Sequence, residues 1–229
     1  MKASQLSLLY LLALLVATVP QFAYAGIETT KCFYMVGYSY GAILSSVNSL
    51  DDPRKIANFK NIFNIGRLAE ELQSELKSPS FQLSLQPKEL EKIDAALSTL
   101  GGLPQNALSS SEIKQQIQLV DETLTPHLDK GDRFSYLVTI GTYSSMLSYF
   151  TQPIIFPKVA EIWNDIAANA AHFNMPETFR ASAIALSSLL GQVEAADSTQ
   201  SSKLQVEIQN MAFSIHNLLK NKELQLMSR

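Results

Sequence analysis

Residues 87–102, PKELEKIDAALSTLGG, are echoed by residues 176–191, PETFRASAIALSSLLG. Pro87 falls on Pro176, Ala96 on Ala185, Leu97-Ser98 on Leu186-Ser187, Leu100 on Leu189 and Gly102 on Gly191. The flanks keep the same order. One constant offset sets Pro53 on Pro157, Phe59 on Trp163, Ile62 on Ile166, Gly66 on Ala170, Gly37 on Gly141 and Gly41 on Ser145. A second sets Ile113 on Leu204, Ile117 on Ile208, Val120 on Met211 and Leu124 on Ile215. The offset changes mainly across 77–86, a stretch that the second half lacks. An order-preserving match of this kind predicts a tandem duplication of a four-helix unit. Two copies are too few for an open solenoid, which needs three or more stacked units and polar caps. Two copies are expected to close on each other about a pseudo-twofold axis.

Helical spacing runs through almost the whole chain. Ile56, Phe59, Phe63, Leu68, Leu72 and Leu76 recur at three- to five-residue steps, as do Ile113, Ile117, Val120, Leu124 and Leu128. Leu204, Ile208, Met211, Ile215 and Leu218 or Leu219 repeat the pattern, the stripe of an amphipathic helix lying on a core. Asp52-Pro53 reads as an N-cap with proline in the first turn, and Ser109 with Glu112 as a capping box. FQLSLQ at 81–86 alternates, but it is short and isolated, and reads as a loop. The expectation is an all-α fold with helices over 31–49, 53–77, 87–100, 110–129, 132–151, 157–173, 176–194 and 199–225. The repeats would cover 26–130 and 131–229 and pack together as one bundle.

Two of these segments stand apart. CFYMVGYSYGAILSSVNSL (32–50) and FSYLVTIGTYSSMLSYFTQPIIFP (134–157) contain no charged residue. A helix with no charged face is buried on most sides or spans a membrane, and the Ser, Thr, Tyr and Gly content here favours burial. Both carry small residues every fourth position: Gly37, Gly41 and Ser45 in the first, Gly141 and Ser145 in the second. That spacing lines small side chains along one face, so two backbones can approach closely. Glycine inside a helix costs about 1 kcal/mol relative to alanine, and close packing would offset it. The two helices are therefore expected to cross at Gly37, Gly41, Gly141 and Ser145.

The same segments hold Tyr34, Tyr38, Tyr40, Tyr136, Tyr143 and Tyr149 among Ser and Thr. One reading is a core whose phenol groups are satisfied by neighbouring hydroxyls. The other is a ligand pocket inside the bundle lined by Tyr34, Tyr38, Ser45, Tyr136 and Tyr143, suited to a small apolar or aromatic molecule.

The first 25 residues follow the secretory pattern: Lys2, the apolar run LSLLYLLALLVATV and the small-residue site Ala23-Tyr24-Ala25. A cleaved signal peptide over 1–25 is expected, and with it a periplasmic or secreted location. The mature chain should carry no stable membrane span. Cys32 is the only cysteine, so a disulfide framework is excluded; the thiol is either buried or available for a Cys32-linked dimer. Net charge is −3 and Lys and Arg are scattered, which removes the basic footprint of a nucleic-acid binder.

Signals of chemistry are weak. His127, His172 and His216 have no ligand-spaced His, Cys or carboxylate nearby in sequence, and neither metal nor cofactor is expected. Gly37-Tyr38-Ser39-Tyr40-Gly41 has the letters of a nucleophile elbow, but lacks the preceding strand and the βα alternation such an elbow needs. Glu161 and Asp165, four apart, read as a surface pair. The residues favour a non-enzymatic helical binding or interaction protein. The alternative is a small-molecule binder using the tyrosine-lined interior, with an enzyme of unknown class third.

Overall fold

A computed structural model describes residues 29–220 apart from 48–49, 51–57, 83–84, 104, 107, 129, 150–155 and 194. The expected signal segment 1–25, the Asp52-Pro53 cap and the last residues of the final expected helix, 221–225, lie outside the described residues. Residues 29–47 form α1. There follow α2 (Asn58–Leu76), α3 (Pro79–Gln82), α4 (Pro87–Gly101), α5 (Ser110–Leu128), α6 (Arg133–Tyr149), α7 (Phe156–Asn169), α8 (Glu177–Val193) and α9 (Ser198–Lys220). Among the described residues there are eight long helices, the single turn α3 and no strand.

Local chemistry sets the helix ends. The Asp132 carboxylate accepts the Ser135 N–H at 2.8 Å at the head of α6, and Asp197 accepts the Thr199 and Gln200 N–H groups at the head of α9. Ser109 and Glu112 exchange side chain-to-backbone bonds ahead of α5, closing a capping box. Beyond α7, Asn174 takes a left-handed φ of 55°, while the Met175 N–H reaches Ala170 O at 2.8 Å and the Asn174 N–H reaches Ala171 O at 3.1 Å. That is a Schellman stop, and Pro176 follows it. Residues 170–173, expected to continue this helix, are therefore spent in the stop.

The expected loop at 81–86 begins instead inside α3. Phe81 is fully buried and meets Phe33 at 6.2 Å and Phe134 at 5.3 Å, both edge-on. Burying that ring against α1 and α6 outweighs the weak local preference of the segment.

α1 and α6 form the middle of the bundle. Nearly every residue from Cys32 to Ile43, and from Phe134 to Leu147, is buried or half-buried. The two helices run in the same direction. Arg133 donates to the Thr30 hydroxyl, Phe134 packs on Phe33, Gly37 lies against Val138 and Gly41 against Thr142, so contacts advance together along both chains. The remaining long helices wrap this pair. α4 packs on α2 and α5, α8 packs on α7 and α9, and α5 and α9 both lean on α6. Leu97 and Leu186, a matched pair in the two echoed segments, are both fully buried. Their neighbours Ser98 and Ser187 both take bonds between helices, from Gln73 at 2.7 Å and to Ala160 O at 2.9 Å.

Candidate functional site

The close approach of α1 and α6 is built from missing side chains. A Cβ on Gly37 would stand 2.8 Å from the Val138 Cα, and one on Gly41 2.8 Å from the Thr142 Cα. A Cβ on Gly141 would stand 2.6 Å from the Tyr38 nitrogen and 3.0 Å from the Gly37 carbonyl carbon. Ser145 is fully buried with its hydroxyl at Gly41, and donates to Thr142 O at 3.0 Å. The Thr142 hydroxyl crosses the gap to donate to Gly37 O at 3.2 Å.

The tyrosines expected to share a pocket are divided between two sides of the bundle. Tyr34 and Tyr38 lie together, ring centroids 5.9 Å apart, and both meet His216 of α9. The Tyr34 hydroxyl lies 3.0 Å from His216 Nδ1, and the imidazole sits on the Tyr38 ring at 4.0 Å. Tyr136 turns the other way: its hydroxyl donates to Ile166 O at 2.7 Å and its ring stacks on Phe173 at 4.3 Å. Ser45 bonds within its own helix, to Gly41 O at 3.0 Å, and Tyr143 is half-buried. Tyr40 donates to the Asp121 carboxylate of α5. Burial pushes the phenol groups of Tyr34, Tyr40, Tyr136 and Tyr143 above their ordinary range, so the neutral hydroxyl is the working form.

Among the described residues, Ser39 Oγ and Trp163 Nε1 are buried without a hydrogen-bond partner. The buried Ser144 hydroxyl adjoins that of Tyr34, beside the Tyr34–His216 pair. Ser39, the serine of the Gly-Tyr-Ser-Tyr-Gly run, stands in the middle of α1 with no exposed surface. It is not on the sharp strand-to-helix turn that makes an elbow serine accessible.

His127, read from sequence without a partner, has two. Its Nε2 lies 3.0 Å from Glu89 Oε1 and its Nδ1 accepts from Lys130 Nζ at 2.8 Å. The same glutamate caps α4, accepting the Gln86 N–H on its other oxygen at 2.8 Å. The Gln86 N–H, followed by His127 and Lys130, holds the Glu89 carboxyl below the usual glutamate range. Lys130, imidazole and carboxylate thus form a chain from cation to anion that ties the end of α5 to the start of α4.

Cys32 is buried, and its Sγ lies 3.5 Å from Glu75 O of α2. Leu76, Lys77, Leu90, Glu91 and Asp94 line a shallow groove of about 200 Å3 between α2 and α4. Ligand pockets usually enclose about 300–1,000 Å3. Lys77 and Asp94 pair across this groove at 3.0 Å. On the outside of the other half, Ile184 of α8 and Val206 and Phe213 of α9 are each more than half exposed. No helix among the described residues is long and apolar enough to cross a membrane. In comparisons with known proteins, no family model, no curated protein and no solved structure matches the chain.

Proposed function

We propose that the chain is a secreted or periplasmic, non-enzymatic interaction protein that engages another protein through the outer face of α8 and α9. The observation that carries this reading is the exposure of Ile184, Val206 and Phe213. Under the offsets that align the two halves, the corresponding first-half residues are Ala95, Gln115 and Glu122. The same helical positions are thus filled by small or polar residues in one half, and folding does not demand large apolar ones. Val206 and Phe213 are seven residues apart and share one side of α9, with Lys203, Glu207 and Lys220 as exposed charges on the same helix. The matching partner surface has an apolar centre and a polar rim. The secretory pattern over 1–25 supports the location.

The bundle is read as two duplicated units, 26–130 and 131–229, about a pseudo-twofold axis. Support comes from reciprocal contacts. Gly37 lies against Val138 and Gly141 against Tyr34, and the offset that carries Gly37 to Gly141 carries Tyr34 to Val138. Exchange of this kind, in which each side contributes the same pair of positions, is the mark of an isologous interface.

The test is a photo-crosslinking residue placed at Phe213 or, as control, at Gln115, in the organism's own compartment. The reading expects a discrete adduct with one protein at position 213 and none at 115. Equal adducts at both positions, or none at either, would contradict it.

A second reading, a small-molecule binder, is favoured by Ser39, whose buried hydroxyl has no hydrogen-bond partner within the tyrosine-rich layer. A ligand or water between the central helices would satisfy it.

A further inference from the structure

We propose that His216 makes α9 an acid-released latch: protonation of this buried imidazole frees the last helix of the bundle from α1. The imidazole joins α9 to α1, beside the packing of α9 along α6. It is 6% exposed, lies 4.0 Å from the Tyr38 ring, and bonds the Tyr34 hydroxyl at 3.0 Å, 182 residues away in sequence. In the neutral form Nδ1 accepts from the Tyr34 O–H and the ring proton sits on Nε2.

The surroundings suit only that form. α1 presents two neutral phenols, Tyr34 and Tyr38, and α6 presents the uncharged Ser144 beside Tyr34. α9 itself presents Phe213 and the cation Lys220. The charges at the start of α8, Glu177 and Arg180, pair with each other at 3.8 Å on the exposed side. No carboxylate among the described residues bonds His216. A second ring proton would force Tyr34 to stop donating and turn its hydrogen toward Ser144, leaving an imidazolium without a counter-ion.

Burial first, and Lys220 second, push the imidazole from 6.5 down to about 4. In released α9 the imidazole regains its ordinary affinity for protons. Between these two values the released helix binds a proton that the docked helix refuses, so acid favours release by up to tenfold per pH unit. Release would uncover Ile208, Ala212, Ile215 and Leu219, which are now buried. This latch does not depend on the partner-binding reading.

The experiment is hydrogen exchange of the full chain at about pH 7 and about pH 5, corrected for intrinsic rates, comparing peptides of α9 with peptides of α4. From the values of 6.5 and about 4, protection of α9 should fall roughly twentyfold more than that of α4. His216→Gln and His216→Phe should abolish the difference. Equal protection of α9 at both pH values would overturn the latch, as would a wild-type pH response kept by either variant. An independent reading needs no variant: imidazole resonances of folded wild-type protein should place the His216 midpoint near 4, and a midpoint near 6.5 would overturn it.

Discussion

Gly141 stands so close to Gly37 that a Cβ added to it would lie 3.0 Å from the Gly37 carbonyl carbon. Two glycines on different helices meet backbone to backbone, and the uncharged, tyrosine-rich layer is organised around that contact. The Thr142 hydroxyl uses the narrow gap to reach Gly37 O. The aromatic rings fill the spaces to either side, Tyr34 and Tyr38 toward α9 and Tyr136 toward α7.

The acid dependence of global stability should have two separable steps. His216 is depressed from 6.5 to about 4, so the unfolded chain takes its proton first, and stability declines as pH falls from 6.5 to about 4 and is flat below. Glu89 is lowered from 4.5; its contribution is complete above that value and is lost as pH falls through the lowered folded value. Urea midpoints across this range should lose the upper step in His216→Phe and show a smaller lower step in Glu89→Gln, the rest of which comes from other lowered carboxyls such as Asp94 and Glu112. A single unchanged acid limb in both variants would contradict the assignment.

Glu89 and His127 should be energetically coupled. A double-mutant cycle with Glu89→Gln and His127→Gln is expected to give a coupling of about 0.5–1.5 kcal/mol, the range of one partly buried hydrogen bond. Additive losses would mean that the 3.0 Å contact does not hold the α4–α5 hairpin.

Ser39 tests whether the central layer holds anything besides protein. An unpartnered buried hydroxyl is a liability of about 1–3 kcal/mol, and alanine removes it while gaining helix propensity. Ser39→Ala should therefore melt at or above the wild-type temperature. A loss of more than about 1 kcal/mol would show a hydroxyl satisfied by a water or a ligand, and would favour the small-molecule reading.

The helices were legible in sequence because each is a local statement: an apolar stripe, a cap and a stop. The small residues at every fourth position pointed to Gly37 and Gly141 for a similar reason, since the periodicity of a helix puts them on one face. Phe81 reads as loop in sequence because its reason for being helical, the rings of Phe33 and Phe134, lies in other elements. The histidine partners were illegible for the same cause. His127 and Glu89 are 38 residues apart, and Tyr34 and His216 are 182 apart, so no spacing rule connects them. One signal for His216 was available. It follows Ala212 by one turn and Ile208 by two, which puts it on the buried face of α9.

The most direct test of the account is the stability of Gly37→Ala and Gly141→Ala beside Gly191→Ala, measured by urea unfolding. Gly191 lies in the last turn of α8, and a Cβ there meets nothing within 4 Å. There the methyl should stabilise by about 0.5–1 kcal/mol through helix propensity alone. At Gly37 and Gly141 the same methyl meets the backbone of the opposite helix, and each variant should lose about 2 kcal/mol or more through overpacking. Wild-type stability in both central variants would contradict the crossing of α1 and α6 on which the bundle is built.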